Sequence, residues 1–170
     1  MEALGNLGDF IGGLAVVATL IYPAIQVRQN NLALHGASRQ AVASGYRDCN
    51  RLLLNTRISL AFSKGLSTFP DMVYEERSLF AAYVVDQALF FQSVFSLYES
   101  GQLEESTYRA YLNWFASILV TPGGNVWWQK SGRPIFEESM VAAIDKRLST
   151  GGLPDIRELD AIRLDEPVDA

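Results

Sequence analysis

The chain has 170 residues, of which 49% are hydrophobic and 11% aromatic, so it can form one domain with a buried core and is not a disordered tail. Its net charge of −5 argues against general nucleic-acid binding. The single cysteine, Cys49, excludes an intramolecular disulfide and is expected to be a small buried residue rather than a reactive thiol.

An uncharged stretch of 18 residues, residues 10–27, follows a short N-terminus that carries two acids and no basic residue. As a helix it is about 27 Å long, close to the hydrocarbon thickness of a thin bilayer. It therefore predicts a transmembrane helix, and the alternative is a helix packed in a soluble core or a homo-oligomer. A cleaved signal peptide is not expected, because no positive charge precedes the stretch.

The charge that follows this stretch predicts its orientation. Residues 28–64 contain six basic side chains and one acid. Basic flanks stay on the cytoplasmic side of a membrane, so we expect a bacterial inner-membrane protein with its N-terminus outside and its bulk cytoplasmic; the alternative location is the cytoplasm. We expect four arginines to contact acidic lipid headgroups, and the alternative is that they lie on an ordinary solvated face. They are Arg28, Arg39, Arg47 and Arg51.

Small residues recur at alternating spacings of three and four along the first segment, which places them on one helix face. Such faces let two helices approach closely in lipid. The candidate interface consists of Gly5, Gly8, Gly12, Ala15 and Thr19. Its expected partner is a second copy or another membrane protein, and the alternatives are packing against another helix of this chain or no specific contact.

The rest of the chain predicts helices rather than strands. The first helix is expected to continue to about Asn55, with a possible break near Gly36. Thr56 is a candidate N-cap for a short helix to Phe62 that Gly65 ends. Longer helices are predicted over residues 72–100, closed by a glycine at 101, over residues 103–120, and over residues 135–148.

The middle of the helix predicted over residues 72–100 is apolar on nearly all sides. We expect it to form the centre of a bundle, because a charged Asp86 inside a bilayer would cost roughly 2.5–3.5 kcal/mol. Asp86 is thus the candidate buried polar residue, with an arginine of the second helix, in the basic stretch after the apolar segment, as its expected partner. A buried catalytic or proton-carrying acid is the alternative.

Two features mark the C-terminal part. Of Trp127 and Trp128, one is expected to cap the core and the other to lie half exposed, and the alternative is a pair at a membrane interface or a partner site. The tail after residue 150 has six acids and two arginines and predicts either a weak amphipathic helix on the basic second helical stretch or a solvated tail. The expected division is an anchor helix over residues 1–31, a helical bundle over residues 32–150 and an acidic tail over residues 151–170.

No motif points to catalysis. His35 is the only histidine, which removes most general-base, zinc and di-iron arrangements. Phosphate-binding and nucleophile-elbow patterns are missing from the sequence, and paired glutamates fall at predicted helix starts, where the helix dipole explains them. We therefore predict no catalytic residue, no metal and no cofactor, and we do not expect an enzyme.

The run LGDFIGGLAVVATLIYPAIQVRQN at residues 7–30, the pair Trp127 and Trp128, and the run PIFEESMVAAIDKRL at residues 134–148 resemble a group of small uncharacterised bacterial proteins. Their shared signature corresponds here to Tyr22 through Asn30, and Pro23 departs from it, since leucine is expected there. The resemblance implies a bacterial source and a helical, membrane-associated architecture. It carries over no activity, cofactor or functional residue.

Together these patterns predict an all-α protein in which a transmembrane helix leads into a small bundle. Its expected role is that of a structural or accessory subunit acting through protein–protein contacts, with the lipid bilayer and itself or another membrane protein as partners and no nucleic acid. The alternatives are a soluble homo-oligomeric helical protein and a ligand-binding or enzymatic bundle that uses Asp86.

Overall fold

The computed structural model describes the backbone of residues 2–161 and the side chains of residues 19–158. Every regular element in that part is helical, which confirms the all-α prediction. The chain divides into two compact units, Met1–Gln40 and Ala41–Ala170. The α-helices within the described backbone are α1 (Glu2–Arg51), α2 (Thr56–Thr68), α3 (Tyr74–Glu99), α4 (Glu105–Leu119), α5 (Pro122–Trp127), α6 (Glu138–Thr150) and α7 (Ile156–Ala161).

Helix α1 forms the first unit and extends into the second. Its backbone stays helical through Pro23 and through Gly36, so the break predicted near Gly36 does not occur. A short 3-10 turn, Leu52–Leu54, follows it. The side-chain oxygen of Asn55 then accepts hydrogen bonds from two backbone N–H groups of α2, at 3.0 and 3.4 Å. Asn55, rather than the predicted Thr56, is therefore the N-cap of α2.

Helix α2 is longer than predicted because Gly65 lies inside it and does not end it. A Cβ atom at Gly65 would lie 2.1 Å from the ring of Phe80, and one at Gly123 would lie 1.7 Å from the carbonyl oxygen of Gly65. The glycine thus serves close packing between helices and not termination. Its neighbours on the two sides are α3 and α5.

Helix α3 is the centre of the second unit and packs against α2 and α4. Its ends agree with the prediction, since Glu75 and Glu76 lie in its first turn and Gly101 follows it with a φ of 71°. The N–H of Gly101 donates to the carbonyl of Tyr98, at 2.9 Å, a glycine-dependent helix end. Its buried residues are Phe80, Tyr83, Val84, Gln87, Ala88, Phe91, Val94 and Phe95.

Two ion pairs cross between α2 and the first turn of α3. Arg57 pairs with Glu75, and Lys64 pairs with Glu76 at 2.5 Å. Arg57, Lys64 and Glu75 are more than half exposed and Glu76 is about one-third exposed, so each pair contributes at most about 1 kcal/mol. Glu75 and Glu76 thus contact α2, and they also lie at the N-terminus of α3, where the helix dipole favours negative charge.

Both tryptophans of the predicted pair are buried, with exposed fractions of 1% for Trp127 and 0% for Trp128. The prediction that one would be half exposed is wrong. Trp128 can be buried because its Nε1 donates to Asp145 Oδ1 on α6, at 3.0 Å. Asp145 in turn pairs with Arg133, at 2.6 Å.

The last long helix starts later than predicted. A π-helical turn, Trp128–Gly132, leads into a 3-10 turn, Arg133–Ile135, and Phe136 is extended before α6 begins at Glu138. The ring of Phe136 stacks on Trp128 with a centroid distance of 6.3 Å. The backbone is thus extended at Phe136, whose side chain packs against the core.

The first part of the predicted acidic tail packs against the core of the second unit. Ile156, at the start of α7, is 5% exposed and belongs to the core cluster. Arg157 donates to Ser67 on α2, at 3.1 Å, and pairs with Asp155. Ile162 and Leu164, which belong to the same predicted tail, lie outside the described residues.

We predict that Gly123→Ala destabilises the second unit, because its methyl group would overlap the backbone of Gly65. Overpacking of this kind costs about 1–3 kcal/mol or more of unfolding free energy. Urea unfolding followed by circular dichroism measures the change. Gly36→Ala is the matched control, since a Cβ there meets no atom within 4 Å, and it should leave the stability equal or higher. Equal stability of the two variants would contradict the assigned contact.

Candidate functional site

Large apolar side chains are exposed along the described part of α1 ahead of residue 35. Leu20, Tyr22 and Leu32 have exposed fractions of 65–68%. We call this set the apolar surface of α1, and its members are Leu20, Ile21, Tyr22, Ile25, Val27, Leu32 and Leu34. Contiguous exposed apolar surface marks a site that contacts protein or membrane.

The apolar surface of α1 covers two faces of the helix. One face carries Leu20, Val27 and Leu34, which recur at intervals of seven residues. The other carries Ile21, Ile25 and Leu32. The faces are offset by one residue, or about 100° around the helix axis. A helix that is apolar on more than one face requires cover on more than one side.

The predicted small-residue interface lies on this same helix. Gly5, Gly8, Gly12 and Ala15 fall within the backbone of α1, but they lie outside the residues whose side chains are described. Thr19 is exposed. Contact through this face stays a prediction.

The four arginines predicted to face a membrane surface all lie on α1, and all are exposed. Arg28 and Arg39 belong to the first unit, and Arg47 and Arg51 belong to the second. Their contact with headgroups stays a prediction.

Asp86 is half-buried on α3, at an open groove between this helix and the end of α1. The arginine partner that the sequence suggested is not found among the ion pairs of residues 19–158. The groove has a volume of about 420 Å³. Its lining consists of Gly45, Asp48, Cys49, Leu52, Asp86, Leu89, Phe90 and Ser93.

Cys49 is buried, as predicted, and its Sγ lies 4.0 Å from the backbone carbonyl oxygen of Asp86. Burial, together with the neighbouring Asp86, raises the pKa of the Cys49 thiol from 9.0 to about 12. The thiol is therefore protonated at neutral pH. A protonated thiol is a poor nucleophile, so the chemistry of this groove is that of carboxylates and apolar surface.

A buried polar network on the same helix was not foreseen from the sequence. Tyr83 donates to Asn50 Oδ1 of α1 at 3.3 Å and accepts from Gln87 Nε2 at 2.9 Å. The Oε1 atom of Gln87 is buried without a hydrogen-bond partner among the described residues. Burial raises the pKa of Tyr83. The available signal was the spacing of four between Tyr83 and Gln87, which places both on one helix face.

Residues 19–158 contain no group of three or more His, Cys, Asp and Glu side chains that could hold a metal ion. Within residues 19–158 one helix, α3, is long and apolar enough to cross a membrane, and half of its most apolar stretch is buried in the protein.

The chain has no significant match to a protein-family model, to a curated protein or to a solved structure.

We predict that the Cys49 thiolate forms with a midpoint near pH 12 in the folded protein, against 9.0 for an ordinary thiol. Between these values the unfolded chain loses the proton and the folded chain keeps it. The contribution of Cys49 to stability is therefore present below pH 9 and is lost as the pH rises toward 12. Ultraviolet thiolate absorbance measures the midpoint, with Cys49→Ala as the baseline and urea-unfolded protein as the reference. A midpoint near 9 in folded protein would contradict the burial of this thiol.

Proposed function

We propose that this protein is a membrane-anchored structural or accessory subunit that acts through protein–protein contacts. In this proposal α1 crosses a bacterial inner membrane over residues 10–27, with the N-terminus outside and the second unit in the cytoplasm. The observation that supports it most directly is the apolar surface of α1.

The exposure of these side chains distinguishes α1 from α3, the other apolar helix. Eight residues of α3 are buried against neighbouring elements, so the packing of a bundle accounts for its composition. Leu20, Tyr22 and Ile25 on α1, which lie within residues 10–27, are each about half exposed or more. Lipid covers a helix on all sides, which matches an apolar surface on two faces.

Charge supports the same assignment. Arg28 immediately follows the uncharged stretch and is exposed, as are Arg39, Arg47 and Arg51 further along α1. A basic flank placed directly after an apolar stretch is typical of the cytoplasmic end of a membrane anchor. Each exposed arginine near an anionic headgroup layer adds about 1 kcal/mol to membrane affinity.

We predict that Val17→Arg combined with Leu20→Arg releases the full-length protein from membranes. Two arginines near the centre of the span cost about 2.5–3.5 kcal/mol each. Alkaline carbonate extraction of membrane fractions measures the release. The matched control is Leu32→Arg combined with Leu34→Arg, which makes the same exchange beyond Arg28 and should leave the protein in the membrane pellet.

The two pairs of substitutions separate the anchor from a soluble oligomer. If the unsubstituted protein is extracted as a monodisperse oligomer without detergent, the anchor proposal is wrong and a second copy covers the apolar surface of α1. Release by both pairs alike would also contradict a span that ends at Val27.

The partner in the membrane is proposed to contact the small-residue face of α1. We predict that Gly12→Ile weakens cross-linking of the membrane-bound protein, because the larger side chain keeps the helices apart. Gly13→Ile is the control, since it lies about 100° around the helix from Gly12. Equal cross-linking of both variants would exclude this face as the interface.

A further inference from the structure

A groove between α4 and α6 is unrelated to the membrane proposal and lies wholly within the second unit. We call it the α4–α6 groove. Its volume is about 610 Å³, within the range of pockets that hold small molecules. It is lined by Tyr98, Glu105, Tyr108, Arg109, Leu112, Asn113, Ala143, Lys146, Arg147 and Thr150.

One part of the groove is apolar and aromatic. The rings of Tyr98 and Tyr108 stack with a centroid distance of 4.2 Å and an angle of 5° between their planes. Leu112 is buried on α4, and Ala143 is half-buried on α6. Stacked rings beside aliphatic groups provide a surface for the apolar body of a ligand.

The charged part of the groove has an excess of two positive charges. Glu105 pairs with Arg109 at 2.6 Å, one turn along α4, so these two side chains balance each other. Lys146 and Arg147, both in the last turns of α6, also line the groove. No carboxylate pairs with either of them among the described residues.

Arg147 is held in position by two hydrogen bonds. Its Nε donates to Asn113 Oδ1 at 2.5 Å, and its Nη1 donates to the carbonyl oxygen of Gly151 at 2.8 Å. These bonds fix the plane of the guanidinium group and leave Nη2 for another acceptor. A pre-oriented guanidinium loses little conformational entropy when it binds an oxyanion.

We propose that the α4–α6 groove binds a phosphate monoester that carries an apolar body. A phosphate monoester has a charge of about −1.5 to −2 at neutral pH, which matches the two unbalanced cations. Its oxygens accept charge-assisted hydrogen bonds from Lys146 and Arg147, while its apolar body lies against the tyrosine pair. The ligand is a soluble metabolite or the head of an anionic lipid, and the two sources share this chemistry.

The test uses the full-length protein and phenyl phosphate as the probe, followed by nuclear magnetic resonance. Phenyl phosphate should shift the resonances of Tyr108 and Leu112, and benzyl alcohol, which lacks the phosphate, should not shift them at the same concentration. Higher salt should weaken binding, because the ion pairs are screened.

Substitution tests the cationic contact. Lys146→Gln should weaken the affinity for phenyl phosphate about tenfold, and the variant should fold, because Lys146 is exposed. Lys130→Gln is the matched control, as Lys130 is exposed on the π-helical turn and does not line the groove. Its affinity should equal that of the unsubstituted protein.

Competition identifies the source of the phosphate. If monomeric dihexanoyl phosphatidic acid binds about tenfold more tightly than phenyl phosphate, the groove binds the head of an anionic lipid. If phenyl phosphate binds more tightly, the ligand is a soluble ester. The proposal is overturned if phenyl phosphate up to about 10 mM leaves Tyr108 and Leu112 unshifted, or if Lys130→Gln weakens binding as much as Lys146→Gln. Neither result bears on membrane anchoring by α1.

Discussion

A helix that is apolar on more than one face has to be covered on more than one side, and most of this structure depends on how that requirement is met for α3. Phe80, Val84 and Phe91 are almost completely removed from solvent, because α2 and α4 pack along the helix. Burial of a side chain of this size contributes about 1.5–3 kcal/mol to folding. The same requirement applies to α1, whose residues Leu20 to Leu34 show no comparable burial.

Close helix packing in the second unit depends on residues without side chains. Gly65 lets the ring of Phe80 approach the backbone of α2, and Gly123 lets α5 approach the same point from another direction. Gly132 similarly leaves room for the rings of Trp127 and Trp128. Three glycines thus provide space for aromatic side chains and helix backbones that a methyl group would fill.

The sequence predicted features whose causes are local. The ends of α3 were predicted because glutamates at its start and Gly101 at its end act within one turn. Gly65 was misassigned as a stop because its role depends on Gly123, which is distant in sequence. In the same way, one tryptophan of the pair was expected to be half exposed because Asp145, the partner that allows Trp128 to be buried, lies 17 residues away in sequence.

The candidate sites were likewise predicted only as far as their causes are local in sequence. Asp86 was singled out as the buried polar residue of α3, yet the neighbouring Gln87 is the one that is fully buried, together with its partner Tyr83. Composition shows that a polar residue interrupts an apolar helix, but a shift of one residue changes the face by about 100°. The α4–α6 groove escaped prediction because its two unbalanced cations lie on α6 and its stacked tyrosines lie on α3 and α4, and only the fold brings them together.

The position of the tryptophans determines which part of the molecule intrinsic fluorescence monitors. Trp114, Trp127 and Trp128 all lie between the middle of α4 and the π-helical turn. Trp127 and Trp128 are also close enough, at 6.3 Å between ring centroids, for their excited states to couple. Intrinsic fluorescence therefore follows the packing of α4 and α5 against the core. A change in that emission during unfolding therefore reports the separation of α4 and α5 from the core, whatever the order in which the other helices unfold.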